Sequence, residues 1–184
     1  MRTSHDIDVA FVQLIGRKAY GSIRVSDITK KAGVGRATFY AHYASKDDLL
    51  RSQFSRIVSP MLAIRHNAPC PLDATNLFAH IQSSPRVFKS LTSGAEAGSG
   101  PRVIRECFER RVREALNLPV GDTYEDLPAI DQRQAMLTRF VASSLLAILA
   151  SWLEHGAEGS PQDVQNFFSK IVGEGLAGVK VGRQ

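Results

Sequence analysis

The stretch at residues 23–50, IRVSDITKKAGVGRATFYAHYASKDDLL, decides how the first third of the chain folds. Apolar residues recur within it at the spacing of one helix face, and Gly33 interrupts that pattern. Glycine adopts the left-handed backbone conformation that ends a helix at little steric cost. The stretch therefore predicts two short helices that are joined by a tight turn.

The helix before this turn is preceded by another. Apolar side chains at helical spacing in residues 7–15 predict an amphipathic first helix. It is expected to end near Gly21, with this glycine just past its last residue. Ser26 is then expected to cap the second helix, which runs to Ala32.

The helix after the turn is expected from about Arg36 to Tyr43. Ser45, with Asp48 three residues later, resembles a capping box and marks the start of a further helix. That helix is expected to run to about Ile57.

Two short helices that cross at a tight turn form a helix-turn-helix, whose second helix reads DNA. Phe39 and Tyr43 are expected to face the core, because neighbouring positions on a helix point apart. The side chains that then point outward are Arg36, Thr38, Tyr40 and His42. Each alone is typical of any exposed helix. Their occurrence together after this turn indicates a surface for phosphates and base edges.

The charge distribution agrees with this interpretation. Residues 1–56 contain ten Lys and Arg against five Asp and Glu, whereas residues 57–184 contain 13 of each. The whole excess of +5 therefore lies in the first third of the chain. A nucleic-acid-binding protein concentrates positive charge on its reading domain, although a basic solvated face produces a similar excess.

The rest of the chain also reads as helical, and no alternating pattern predicts a strand. A helix at residues 129–155 is apolar on most of its circumference, so we expect it to be buried by its own domain and by a second subunit. The fold class is all-α with about nine helices. The expected domains are a DNA-binding head at 1–48 and a ligand-binding and dimerisation domain at 49–184. The helices expected in the second domain lie near residues 73–82, 86–91, 102–116, 129–155 and 161–177.

The sequence gives little support to other classes of protein. The sequence contains no GxSxG, SxxK, HExxH or P-loop motif, and its histidines lack metal-ligand spacing, so we expect neither an enzyme nor a metal or cofactor site. The glycine-rich segment 94–100 favours an inter-helix loop over a phosphate cradle. The arginines of 105–113 alternate with glutamates, which favours a solvated face over a second nucleic-acid site.

The expected compartment is the cytoplasm. Cys70 and Cys107 have no CxxC spacing and are expected to be reduced thiols. The N-terminus carries charges that a signal peptide lacks, and the apolar run 140–153 is too short to span a bilayer.

Residues 23–50 resemble the DNA-binding domain of the TetR family. The resemblance rests on Ile-x-Val-x-Asp-Ile-x-x-x-Ala-Gly-Val, Thr-Phe-Tyr-x-His-Tyr and Ser-Lys-x-x-Leu-Leu, and it extends through the first helix. It implies a homodimeric regulator, usually a repressor, that binds a palindromic double-stranded operator. It also implies dimerisation through the last two helices and release from DNA by a small-molecule effector.

The resemblance assigns roles to particular residues. Arg36 would read a base, Thr38 and Tyr40 would bind phosphates, and His42 would contact phosphate or a base edge. Further contacts to the DNA backbone would come from Ser26, Gly35 and Lys46. Gly35 stands where many relatives have Ser or Thr, so only its backbone N–H is left to donate.

An effector pocket is expected to be lined by Phe78, Ile81, Phe88, Phe108, Met136, Phe140, Trp152 and His155. The alternative is that the apolar members of this set are ordinary core. A second hypothesis for the whole chain is an adaptor whose C-terminal domain binds another protein.

Overall fold

The structure is a computed structural model that describes residues 2–66, 68–92, 95–121 and 129–177. The chain is almost wholly helical in this part, with one pair of very short strands. The first helices are α1 (Arg2–Ile15), α2 (Val25–Ala32), α3 (Arg36–His42) and α4 (Lys46–Gln53). They are followed by β1 (Ala63–Ile64), β2 (Leu72–Asp73), α5 (Thr75–Ser83), α6 (Pro85–Thr92), α7 (Gly100–Ala115), α8 (Gln132–Glu154) and α9 (Pro161–Ala177).

The all-α prediction is confirmed, since nine α-helices lie within the described residues. The expectation that the chain contains no strand was wrong in detail. β1 and β2 form an antiparallel pair in which Ala63 lies opposite Asp73 and Ile64 opposite Leu72. Two-residue strands leave no alternation in a sequence, because the pattern needs about four residues to be visible.

The chain packs as two compact units. Unit 1 contains residues 1–57 and 84–104, and unit 2 contains residues 58–83 and 105–184. The functional boundary expected after residue 48 stays a prediction, because compact packing does not by itself mark where DNA binding ends.

Unit 1 is built on a core of large apolar side chains from α1, α2 and α3. Ile7 and Phe11 of α1, Ile28 of α2 and Phe39 of α3 are all fully buried. Burying one such side chain stabilises a fold by about 1.5–3 kcal/mol. The short α2 and α3 therefore depend on α1 for their stability.

Gly21 has a different role from the one expected. α1 already ends at Ile15, and Gly21 lies in a separate 3-10 turn, Tyr20–Ser22. A Cβ at Gly21 would lie 2.4 Å from the carbonyl oxygen of Glu96. The glycine is required by close packing, which sequence spacing does not reveal.

α4 continues beyond Gln53 as a π-helical turn, Phe54–Val58, so the helical segment reaches Ile57 as expected. The capping prediction for this helix is confirmed, because the Ser45 hydroxyl accepts a hydrogen bond from the Asp48 N–H at 3.0 Å.

In unit 2, a buried glutamine joins α9 to β2 and to the start of α5. The Gln165 side chain accepts from the Ala74 N–H at 2.8 Å and donates to the Leu72 carbonyl at 3.1 Å. It also donates to the Ser169 hydroxyl at 2.7 Å. Because the buried amide has partners for both ends, it fixes α9 without an unpaired polar group.

α8 is capped by Asp131, which forms a capping box with Gln134. One side of α8 is buried in unit 2, but Met136 is 65% exposed and Phe140 is 43% exposed. In the described part of the chain, α8 is the helix long and apolar enough to cross a bilayer, a property that core helices share.

Gly33→Ala should lower the free energy of unfolding by about 1–2 kcal/mol, because φ is +69° at this position and a Cβ is disfavoured there. No atom lies within 4 Å of the added Cβ, so the cost is conformational. Urea unfolding of the purified chain measures it.

Gly16→Ala is the matched control, since its Cβ would meet only ordinary contacts at 3.8 Å. It should leave the free energy of unfolding unchanged or slightly higher. Equal losses for both variants would contradict the assignment of Gly33.

Candidate nucleic-acid interface

The turn between α2 and α3 holds the two helices of the predicted helix-turn-helix. Gly33 ends α2 in the left-handed conformation, and its N–H donates to the Lys30 carbonyl. Gly35 is the N-cap of α3, with φ −76° and ψ 159°. α3 then spans Arg36–His42, as the sequence predicts.

The inward and outward faces of α3 agree with the prediction. Phe39 is fully buried and Tyr43, just past the helix, is 7% exposed. Tyr40 is 56% exposed, Arg36 and His42 are exposed, and Thr38 is half-buried. The structure thus brings the expected contact residues onto the outer side of a helix whose inner side is fixed in the core.

A buried carboxylate anchors the end of α3. The Tyr43 hydroxyl donates to Asp8 Oδ1 at 2.7 Å, and the Gln53 side-chain amide donates to the same oxygen at 2.6 Å. Arg56 Nη1 lies 2.7 Å from Asp8 Oδ2. Asp8 is 4% exposed, so this arginine offsets the cost of burying its charge. α1, α3 and α4 are locked together at this point.

Ser26 does not cap α2. The helix begins at Val25, which makes Arg24 the N-cap and places Ser26 inside the first turn. The Arg24 N–H donates to the Asp27 carboxylate at 3.0 Å. This hydrogen bond from the cap to the third helical residue replaces the serine cap that we expected. Ser26 is half-buried.

Arg24 is a residue that the sequence reasoning missed. It is exposed at the amino end of α2, where Ser, Thr, Asp or Asn are preferred and a cation is unfavourable. The acid at position 27, three residues later, is the signal that could have identified it. In the described part of the chain, Arg24 has no ion-pair partner within 4.0 Å; the same holds for the exposed Lys30, Lys31 and Arg36.

Lys46 occupies an inward position at the start of α4. Its ammonium group donates to the carbonyl oxygens of Tyr20 at 2.7 Å and Ile23 at 2.8 Å, and it lies 4.1 Å from the Tyr20 ring centroid. Burial lowers the pKa of Lys46 below its usual range. An ammonium has three N–H donors, so these two bonds leave one for another acceptor.

The residues expected to line an effector pocket differ in their exposure, and their common role in a pocket stays a prediction. Within unit 2, Phe78, Ile81 and Phe108 are core residues that are at most 4% exposed. Met136 and Phe140 lie on the exposed side of α8. Phe88 is a buried residue of unit 1.

Trp152 and His155 do line a surface groove in unit 2. The groove has a volume of about 410 Å³ and is also bordered by Ile148, Val164 and Phe167. Trp152 packs edge-on against Phe78, with ring centroids 5.6 Å apart, and its indole N–H donates to the Glu158 carbonyl at 2.5 Å. One wall of the groove is therefore rigid.

Metal and thiol chemistry have no geometric support in the described residues, where no three His, Cys, Asp or Glu side chains are grouped to hold an ion. Cys70 and Cys107 are both buried, and they form no disulfide within the described residues. Burial raises the pKa of Cys70, which makes it a poor nucleophile.

Comparisons with known proteins agree with this geometry. Residues 8–52 match the family described as "Bacterial regulatory proteins, tetR family". An uncharacterised HTH-type transcriptional regulator of Bacillus subtilis (strain 168), YxbF, is 42% identical over 57 residues. This match covers 30% of the present chain and 15% of the relative, so the chain spans a small part of the length of this relative.

Solved structures show the same fold over nearly the whole chain. A TetR transcriptional regulator from Streptococcus agalactiae 2603V has a TM-score of 0.59 at 23% identity, with 92% of this chain and 93% of that one covered. The dihydroxyacetone kinase operon activator DhaS has a TM-score of 0.52 at 20% identity, with 99% and 98% covered.

The helical fold and the exposed face of α3 place a helix-turn-helix at residues 25–42. This segment lies within residues 8–52, which match the TetR family of bacterial regulatory proteins, and the chain shares the fold of solved TetR regulators.

Proposed function

We propose that the chain is a homodimeric repressor that binds a palindromic operator and leaves it when a small-molecule inducer binds. The observation that carries the proposal is the exposed polar side of α3 on a helix whose other side is held by Phe39 and Tyr43. Two such helices about 34–36 Å apart, one turn of the duplex, would enter successive major grooves. The protein would act in the cytoplasm and would have no catalytic activity.

The proposed division of labour follows from chemistry and exposure. Arg36 would read guanine with two parallel hydrogen bonds. Phosphates and base edges would be bound by Gly35, Thr38, Tyr40 and His42, and by Ser26 through the first turn of α2. Lys46 would hold phosphate with its remaining N–H. To these expected contacts we add Arg24, which is exposed at the amino end of α2, where a cation opposes the helix dipole.

The proposed dimer uses the exposed apolar side chains of α8 and α9. Met136 and Phe140 are one turn apart on α8, and Phe167 and Ile171 are one turn apart on α9. Phe167 is 58% exposed and Ile171 is 41% exposed. Large side chains in such a row favour association with a second copy, which needs about 800 Å² of surface on each partner.

The proposed effector site lies in unit 2. The groove beside Trp152 and His155 supports this assignment because its size, about 410 Å³, is within the range of small-molecule pockets. His155 is exposed and would orient a polar group of the effector. We expect an inducer to act by favouring a conformation in which the two α3 helices no longer fit the operator.

Arg36→Ala should weaken binding to a DNA duplex selected with the wild-type chain by about 5- to 150-fold for each half-site, because a bidentate contact to guanine is worth about 1–3 kcal/mol. The loss should be confined to one base pair of each half-site. Titration against a set of single-base variants of the duplex measures it.

Arg86→Ala is the control, since Arg86 is an exposed arginine of α6 in the same unit. It should leave the affinities unchanged. A uniform loss for every duplex with Arg36→Ala would show that this arginine binds phosphate and does not read a base.

Arg24→Ser should have opposite effects on stability and on DNA binding. A serine cap should raise the free energy of unfolding by about 0.5–1 kcal/mol. Loss of one phosphate contact should lower the slope of log affinity against log salt by about one for each protomer. Urea unfolding and a salt titration measure the two effects.

The matched control for this change is Arg86→Ser, which removes a charge elsewhere in unit 1. An Arg24→Ser chain that binds DNA with the wild-type salt slope would remove Arg24 from the interface.

Ile171→Glu should convert the dimer to a monomer at micromolar concentration, because a charge would be buried in the proposed interface. Sedimentation velocity measures the change. Asn76→Glu adds the same charge at an exposed position of α5 and should remain dimeric. If the wild-type chain itself sediments as a monomer, the dimer proposal is wrong.

A further inference from the structure

Asp47, the second residue of α4, joins parts of unit 1 that are far apart in sequence. Its Oδ1 accepts from the Tyr20 hydroxyl at 2.6 Å and from the Ser99 hydroxyl at 2.7 Å. Its Oδ2 accepts from Arg102 Nη2 at 3.1 Å. We call Asp47 and these three donors the Asp47 cluster.

The carboxylate is ionised in this setting. Burial by itself raises the pKa of Asp47, but the hydrogen bonds from Tyr20 and Ser99 and the charge of Arg102 outweigh it and hold the pKa below its usual range. Both oxygens therefore act as charged acceptors, which form stronger hydrogen bonds than neutral ones.

The backbone of residues 96–100 is seated directly on the turn that contains Tyr20. A Cβ on Gly21 would lie 2.4 Å from the Glu96 carbonyl oxygen, and one on Gly98 would lie 2.9 Å from the Gly21 Cα. A Cβ on Gly100 would lie 3.1 Å from the Tyr20 ring. Distances this short mean that residues 96–100 and the turn pack backbone against backbone, with no room for a side chain between them.

The same turn leads directly into α2. Lys46 holds the carbonyl oxygens of Tyr20 and Ile23, and Arg24, the N-cap of α2, follows next. The amino ends of α2 and α4 are thus fixed relative to the Asp47 cluster. Helix amino ends are the parts of a helix-turn-helix that bind the DNA backbone.

We infer that Asp47 is a positioning residue for DNA binding, which couples the place of residues 96–102 to the amino ends of α2 and α4. Asp47 does not itself touch DNA. Ser99 precedes α7 and Arg102 lies in its first turn, and α7 is one continuous helix to Ala115. The inference rests on the proposed function.

The test removes the α7 side of the cluster with Ser99→Ala/Arg102→Ala. Binding is measured to a duplex selected with the wild-type chain from random DNA and to a scrambled duplex, at several salt concentrations. Affinity for the selected duplex should fall at least about fivefold relative to the scrambled one. The salt slope should not change, since no phosphate contact is lost.

Arg105→Ala is the matched control. Arg105 is exposed on α7, and Glu109 lies 3.8 Å from its Nε. It should leave both affinities unchanged. In a double-mutant cycle, Asp47→Ala and Ser99→Ala should be non-additive in log affinity, because each removes one partner of the same hydrogen bond.

Thermal unfolding checks that each variant is folded at the temperature of the binding assay. If the double variant is not folded, Tyr20→Phe decides by the same criterion, because it keeps the ring beneath Lys46 and removes only the hydroxyl. A lower melting temperature with an unchanged ratio of selected to scrambled affinity means that the cluster is merely structural, which overturns the inference.

A reduced salt slope would also overturn it, since Arg102 would then bind phosphate directly. Additive effects of the Asp47 and Ser99 substitutions on log affinity would mean that Asp47 does not act through Ser99, and this result would also overturn the inference. If the wild-type chain selects no duplex at all, the proposed function fails, and this outcome is distinct from a failure of the positioning role.

Discussion

Burial of one side of α3 is the constraint on which the rest of the structure depends. A helix of seven residues is not stable by itself in water, because its nucleation cost is not recovered over so short a length. Phe39 and Tyr43 supply the missing stability by packing in the core of unit 1, and the bond from Tyr43 to Asp8 fixes the helix end. Only a helix held in this way can leave its other side polar and exposed. The proposed readout of DNA by the exposed side of α3 therefore depends on the burial of Phe39 and Tyr43 in the core.

A second constraint is the competition between local stability and function at the amino end of α2. Arginine is a poor N-cap, and its charge opposes the helix dipole. Asp27 compensates in part by accepting the Arg24 N–H. Proteins tend to break local rules of this kind where a function requires it. Asp47 shows no such conflict. An acid in the first turn of α4 is favourable for the helix dipole, and the same carboxylate joins Tyr20 to the start of α7.

Unit 2 illustrates why aromatic residues in a sequence are weak indicators of a ligand site. Phe78 and Phe108 were expected at a pocket, and the structure buries both, which suits a pocket wall and plain core packing equally. Met136 and Phe140 were grouped with them, yet both are exposed on α8. Hydrophobicity predicts that a side chain avoids water. It does not say whether the neighbour is the core, a ligand or a second copy of the chain.

The sequence by itself determined the all-α fold, the turn at Gly33, the cap at Ser45 and the two faces of α3. These features depend on residues within about one helical turn of each other, so their pattern is legible along the chain. Only the tertiary structure decided that the Lys46 ammonium donates to two carbonyl oxygens and that Asp47 accepts from residues 20, 99 and 102. Those contacts join residues 23 to 55 positions apart, and they exist because packing brings the segments together, which local spacing does not encode.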